Sequence, residues 1–101
     1  MHSSLTGVET DMLEVCLPKL FPTMSRMDTL QVEEWYVQEQ DLIQPGNMLV
    51  EIEAPIGLID IPTPPEMITP HRVVYIAIPQ GGQIRLGDPL IILKAVDEST
   101  T

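Results

Sequence analysis

Short apolar stretches, bounded by residues that form turns, recur along most of the chain. They occupy positions 15–17, 35–37, 48–52, 58–61, 73–78 and 90–93, and Pro, Gly, Asn or Asp separates most of them. Apolar runs of this length with such boundaries predict β-strands. The best candidate for a helix, 24–34, does not keep the 3.6-residue apolar period of an amphipathic helix. The pattern therefore predicts an all-β domain.

The second half of this pattern repeats the first half without a gap. When 41 is added to each position number, six apolar residues and one glycine meet a residue of the same character. The pairs are Val32/Val73, Trp35/Ile76, Val37/Ile78, Ile43/Ile84, Gly46/Gly87, Leu49/Leu90 and Ile52/Leu93. Two copies are too few for a solenoid. The repeat therefore predicts a flattened sandwich or barrel with pseudo-two-fold symmetry, and it assigns Trp35 to the core rather than to a ligand platform.

The segment between the two copies is typical of a β-hairpin with Pro55 and Ile56 at its tip. This register pairs opposite residues as follows: Glu53 with Leu58, Ile52 with Ile59, Glu51 with Asp60 and Val50 with Ile61. One face then carries Val50, Ile52, Ile59 and Ile61, and the other carries Glu51, Glu53 and Asp60. That separation is what the two-residue period of a strand requires. Pro at the second position and Gly at the fourth position favour a type I turn.

Composition and charge limit the class of protein. The chain has 101 residues, enough for one domain, and its apolar content of 44% excludes a disordered chain. We predict flexible tails at 1–11 and 96–101 around a domain at 12–95. The net charge of −10 argues against nucleic acid and anionic membranes as partners. It is compatible with a basic protein partner, although solubility is the simpler explanation. Without a signal-peptide pattern or a long apolar run, we expect a cytoplasmic protein.

Residues that could carry catalysis or bind a metal are sparse. Cys16 is the single cysteine and cannot form an internal disulfide, while His2 and His71 are far apart in the sequence. No spacing suits a metal site, and no phosphate-binding loop or nucleophile–base pair is present. We therefore expect neither an enzyme nor a metalloprotein.

Two segments resemble a known family of carrier domains. Residues 17–24 read Leu-Pro-Lys-Leu-Phe-Pro-Thr-Met, and residues 49–61 read Leu-Val-Glu-Ile-Glu-Ala-Pro-Ile-Gly-Leu-Ile-Asp-Ile, after a turn that contains Gly46 and Asn47. Together they resemble the lipoyl domains of 2-oxo acid dehydrogenase complexes and the related biotin carboxyl carrier domains, over about residues 14–94. The opening run is more similar to lipoyl domains. The resemblance implies two four-stranded sheets, a barrel-sandwich hybrid, and a hairpin lysine that carries lipoamide or biotin.

The chain departs from the family at the modified residue itself. The family pattern is Glu-Ile-Glu-Thr-Asp-Lys-Ala, and Ile56 falls on the lysine within the turn Ala54, Pro55, Ile56 and Gly57. Attachment of either cofactor needs a primary amine, and the only lysines are Lys19 and Lys94. The resemblance also implies that Gln40 and His71 replace glycines, and that residues are inserted near 25–29 and 64–70.

These departures lead to a main hypothesis and an alternative. We expect an unmodified, non-catalytic domain that acts through protein–protein contact, with a partner related to a biotin-dependent carboxylase, a 2-oxo acid dehydrogenase complex or their ligases. The alternative is a true carrier whose acceptor is Lys19, Lys94 or a residue of a partner. Two contact sites remain open: Ile56, which could also be an unremarkable exposed residue or lie under a loop, and the segment from Pro62 to Pro70, which could also be a rigid crossover.

Overall fold

Eight β-strands and no helix make up residues 12–96, the part of the chain that the computed structural model describes. The strands are β1 (Met12–Cys16), β2 (Thr29–Trp35), β3 (Leu42–Ile43), β4 (Met48–Ala54), β5 (Gly57–Pro62), β6 (His71–Ile76), β7 (Gln83–Arg85) and β8 (Pro89–Ala95). The all-β class that the sequence predicts is confirmed. No helix within these residues is long and apolar enough to cross a membrane.

The strands form two antiparallel sheets that stack as a flattened sandwich. One sheet has the order β1-β8-β6-β3 and the other has the order β5-β4-β2-β7. Each order becomes the other when every strand is replaced by the one four places away along the chain. The sheets do not close into a barrel, because β1 and β5 each pair with only one neighbour. The predicted arrangement of two four-stranded sheets with pseudo-two-fold symmetry is confirmed.

The repeat extends to the irregularities of the strands. A bulge interrupts β2 between Val32 and Glu34, and a bulge interrupts β6 between Val73 and Tyr75, 41 residues later. The strand β8 likewise begins and ends 41 residues after β4. β-Bulges bend a strand and increase its twist, and here they occupy equivalent places in the two sheets.

A reciprocal pair of hydrogen bonds joins the two halves. The N–H of Gln40 donates to the carbonyl of Val73 at 2.7 Å, and the N–H of Gly81 donates to the carbonyl of Val32 at 2.8 Å. The turn that contains Gln40 is therefore bonded to β6, and the turn that contains Gly81 is bonded to β2. These two bonds connect the halves directly.

Apolar side chains from the inner faces of both sheets form the core. The largest fully buried ones are Leu30, Ile43, Leu49, Ile52, Ile84, Leu90, Ile91, Leu93, Val32, Val50 and Val73. Trp35 packs against this core, and its indole N–H donates to the carbonyl of Ile78 at 2.7 Å. Val, Ile and Leu dominate because β-branched and aliphatic side chains suit pleated surfaces that face each other.

One predicted strand is misplaced. The apolar stretch 35–37 predicts a strand that begins at Trp35, whereas β2 ends there. The bulge after Val32 leaves Glu33 and Glu34 both exposed and interrupts the alternation. Leu30 and Val32 are then the only alternating apolar residues by which β2 could be recognised in the sequence. The short apolar steps at Ile43 and Ile84 form β3 and β7.

The predicted tails fall almost wholly outside the described residues, as does His2. Val96, which the sequence assigns to the second tail, is described and donates its N–H to the carbonyl of Pro70 at 3.1 Å. That bond joins the end of β8 to the residue that precedes β6.

Candidate functional site: the β4–β5 hairpin

The hairpin has the register that the sequence predicts. Val50 lies opposite Ile61, Glu51 opposite Asp60, Ile52 opposite Ile59 and Glu53 opposite Leu58. Ala54 pairs with Gly57 and leaves a two-residue tip of Pro55 and Ile56. The inner face is buried at Val50, Ile52 and Ile61 and partly buried at Ile59, while Glu53 and Asp60 on the other face are exposed.

The backbone conformation of the turn explains why proline and glycine occur in it. Gln40 is the only non-glycine residue with positive φ among the described residues, so Pro55 and Ile56 both have the negative φ of a type I turn. Gly57 follows with φ +125°, a value that L side chains rarely adopt. The sequence therefore places proline and glycine where this turn needs them.

Ile56 projects from the tip into solvent. Its side chain is 62% exposed, and that of Leu58, two residues further on, is 59% exposed. The segment from Pro62 to Pro70 does not cover it. Instead, that segment is anchored to the body by its buried Met67 and by Thr63, whose Oγ1 accepts the N–H of Gly46 at 2.7 Å. These anchors favour the rigid crossover among the two interpretations of the segment.

A side-chain hydrogen bond ties the edge strand β5 to the end of β2. Tyr36 Oη donates to Asp60 Oδ1 at 2.9 Å. This bond, followed by partial burial and the negative charges of Asp60, Glu51 and Glu34, raises the pKa of Tyr36 to about 12. The bond crosses the central strand β4 and holds the outer strand of the hairpin. Sequence reasoning missed it, because the two residues are 24 positions apart and neither belongs to a motif.

The outer face of the sheet behind the tip is acidic. Glu34 lies opposite Glu51, and Glu51 lies opposite Asp60, so three carboxylates form a row across β2, β4 and β5. Glu53 stands on the same face, opposite the exposed Leu58. Like charges on directly opposite residues destabilise a sheet. The hairpin therefore presents an apolar tip beside a field of negative charge.

The two lysines occupy different surroundings from the tip. Lys19 is exposed in the segment that follows β1, and Lys94 is exposed on β8, opposite Met12 and Arg72. Neither lies at a hairpin tip. The four turn residues Ala54, Pro55, Ile56 and Gly57 carry no nucleophilic side chain. They do not fit an amide-linked lipoyl or biotinyl group.

Other titratable residues are dispersed over the described part of the chain. His71 is buried and its Nδ1 lies 2.9 Å from the carbonyl oxygen of Thr69. Burial and the nearby charges of Glu14 and Asp88 raise the pKa of the Cys16 thiol, which disfavours the reactive thiolate. Within residues 12–96, no three His, Cys, Asp or Glu side chains come together as metal ligands.

Fold and site together define an all-β sandwich protein that presents a hairpin with an apolar tip. No protein-family model matches the chain, and no curated protein matches it either.

Proposed function

We propose that this chain is a lipoyl/biotinyl-like domain that carries no cofactor on its hairpin and acts as a non-catalytic protein–protein interaction module. The observation that carries the proposal is the turn itself. It has a tight two-residue tip whose Ile56 is 62% exposed, and the resemblance aligns this residue with the modified lysine. A projecting tip is present, while the amine needed for attachment is absent.

Contact with a protein is the role that suits this tip best. A single exposed isoleucine needs no explanation. Here, however, Ile56 is followed by Leu58, and both stand at the end of a hairpin that the Tyr36–Asp60 bond holds in place. A few well-packed residues near the centre of an interface carry most of its binding energy. The partners we propose are subunits of a biotin-dependent carboxylase, of a 2-oxo acid dehydrogenase complex, or their ligases, since these proteins bind the carrier domains that the sequence resembles.

The first test is the intact mass of the protein purified from its own host. We expect the mass of the unmodified chain. A mass increased by a lipoyl or biotinyl group would overturn the proposal and would place the acceptor at Lys19 or Lys94, the two lysines of the chain.

The second test is competition for a docking site. The chain should displace an authentic lipoyl or biotinyl carrier domain from a purified partner subunit or ligase. Ile56→Ser should weaken this displacement about tenfold, the effect of losing a modest interface anchor. Ile68→Ser is the matched control, because Ile68 is also exposed but lies on the crossover segment. Failure of the unmutated chain to displace the carrier from any of these partners would contradict the proposed role.

A further inference from the structure

A cleft separates β1 from β5, two of the four edge strands of the sandwich. It has a volume of about 560 Å³ and lies between β1 and β5, with the start of the crossover segment at one end. Its lining is mainly apolar. Val15, Leu17 and Leu20 contribute from the β1 side, and Ile59, Ile61 and Pro64 contribute from the β5 side.

The two walls of the cleft are pseudo-equivalent. Val15 pairs with Ile91 in one sheet and Ile61 pairs with Val50 in the other, and Ile91 follows Val50 by 41 residues. Similarly, the N–H of Leu17 donates to the carbonyl of Asp88 and that of Thr63 donates to the carbonyl of Asn47, both at 2.9 Å. The cleft therefore lies between two strand edges that the pseudo-two-fold symmetry relates.

Both walls offer backbone groups that no neighbouring strand uses. Within the described residues, β1 pairs only with β8 and β5 pairs only with β4. The outer side of an edge strand presents N–H and C=O groups that can pair with an additional strand. Peptides exploit such edges by lying alongside them in an extended conformation. An apolar cleft with edge strands on both sides suits an extended peptide better than a compact small molecule.

The rim of the cleft specifies the charge of its occupant. Glu14, Asp60 and Glu66 are the charged residues among those that line it, and all three are acidic. Asp88 adds a further negative charge close to Cys16. An anionic occupant would be repelled, whereas a lysine or arginine beside an apolar segment would be attracted.

We propose that this cleft binds an extended peptide segment of a partner protein, with apolar side chains at alternate positions and a basic residue beside them. The peptide adds to the free edge of β1 or β5 and buries its apolar side chains against the cleft walls. This binding is separate from the contact at Ile56, which lies at the other end of β5.

Cys16 makes the proposal directly testable. It lines the cleft and it is the only cysteine of the chain, so a thiol adduct marks this one place. A library of random peptides is selected against the full chain, with counter-selection against the same chain carrying a bulky adduct on Cys16. We expect enriched peptides to alternate apolar and polar residues and to carry lysine or arginine.

The selected peptides are then assayed for protection of Cys16. At a concentration that fills about nine tenths of the sites, a peptide should slow alkylation of Cys16 about tenfold. The assay is run at mildly alkaline pH, because the raised pKa of the thiol makes alkylation slow near neutrality.

Paired variants separate rim charge from net charge. The double substitution Glu14→Gln, Glu66→Gln should weaken peptide binding about threefold to tenfold, since exposed charges act singly with modest effect. The matched control Glu33→Gln, Glu53→Gln removes the same charge at residues outside the cleft lining and should leave binding unchanged. Asp60 is left intact because it accepts the hydrogen bond of Tyr36. Thermal unfolding checks that all variants fold.

Three results would overturn the proposal. The first is a selection that yields no peptide able to protect Cys16, and the second is enrichment of acidic peptides. The third is an equal loss of binding in the rim pair and in the control pair. Ile56→Ser should not change peptide binding, so failure here is distinguishable from failure of the interaction at the hairpin tip.

Discussion

At the scale of single residues, Gln40 departs furthest from ordinary backbone preference. Its φ is +79°, close to the +84° of Gly81 at the equivalent place in the second half. Both residues donate their N–H to a strand of the other half, and both do so in the left-handed conformation. The second half has glycine there, whereas the first half holds a residue with a side chain in the same conformation.

Replacing this residue by glycine should stabilise the protein. A left-handed residue with a side chain is strained by about 1–2 kcal/mol, while glycine adds about 0.5–1 kcal/mol of unfolded-state entropy. We expect Gln40→Gly to raise the free energy of unfolding by about 0.5–1 kcal/mol, measured by urea denaturation. Gln80→Gly, in the equivalent turn but without positive φ, should lower it. Equal effects of the two substitutions would show that Gln40 is not strained.

Introducing a lysine at the hairpin tip should not by itself lead to modification. Ile56→Lys supplies the amine, yet Pro55 and Gly57 still differ from the Asp and Ala of the lipoyl and biotinyl pattern that the sequence resembles. We expect little mass increase when this variant is expressed with lipoate or biotin ligases, and more when Pro55→Asp is added. Gly57 is kept in both variants because its φ of +125° disfavours alanine. Near-complete modification of the single variant would show that the shape of the turn suffices.

At the scale of elements, the sequence predicts correctly those features that a local pattern of apolar and turn residues determines. The β4–β5 register is confirmed pair by pair, because a two-residue tip and strict alternation of apolar residues leave one solution. The position of β2 was wrong, because the bulge between Val32 and Glu34 breaks that alternation. The Tyr36–Asp60 bond was not predictable for a different reason: it joins residues that only the pairing of three strands brings together.

The second tight turn contains a glycine that cannot be exchanged freely. A Cβ on Gly82 would lie 2.7 Å from Ile78 Cγ2 and 2.9 Å from the carbonyl oxygen of Pro79. We expect Gly82→Ala to lower the free energy of unfolding by about 1–3 kcal/mol, as overpacking does. Thermal or urea unfolding, followed by the fluorescence of the single Trp35, measures the change.

A double-mutant cycle identifies the cause of that loss. Ile78→Leu removes the Cγ2 methyl group, so Gly82→Ala should be less destabilising in the Ile78→Leu background than in the unmutated chain. Additive effects would mean that the Ile78 contact is not responsible, leaving the carbonyl of Pro79 as the obstacle.

The hydrogen bond from Tyr36 to Asp60 should make the free energy of unfolding depend on pH in the alkaline range. The pKa of Tyr36 is about 12 in the folded chain, against about 10 for an unfolded tyrosine. The folded state therefore binds the Tyr36 proton more tightly than the unfolded state does. This contribution to the free energy of unfolding is full below pH 10 and is lost as the pH rises towards 12. We expect the urea midpoint to fall between pH 10 and about pH 12, and we expect Tyr36→Phe to make this fall less steep.

Two controls isolate the tyrosine. All variants carry Cys16→Ser, because the raised pKa of the thiol acts in the same direction. Tyr75→Phe, which changes the other tyrosine of the chain, should leave the steep fall in place. If Tyr36→Phe and Tyr75→Phe have the same profile, the bond to Asp60 does not produce the pH dependence.

At the scale of the whole molecule, the sequence repeat predicts the two sheets but not the space between their edges. The pairs from Val32/Val73 to Ile52/Leu93 all fall in elements of the two sheets or beside them, because a repeat in apolar pattern reports which faces are buried. The cleft depends on how far apart β1 and β5 stand when the sheets stack. That distance is set by the packing of the whole core rather than by any local pattern.

The distribution of charge over the molecule leads to a prediction about salt. The chain has a net charge of −10, and the row Glu34, Glu51 and Asp60 places like charges on opposite residues of three adjacent strands. Because salt screens repulsion between exposed charges, the urea midpoint should rise between about 0.01 M and about 0.5 M sodium chloride. Glu51→Gln removes the middle charge of the row, so it should stabilise the protein by about 0.5 kcal/mol at low salt and reduce the response to salt. Glu66→Gln makes the same change in net charge on the exposed crossover segment. If both variants respond alike, general repulsion rather than the carboxylate row limits the stability of the fold.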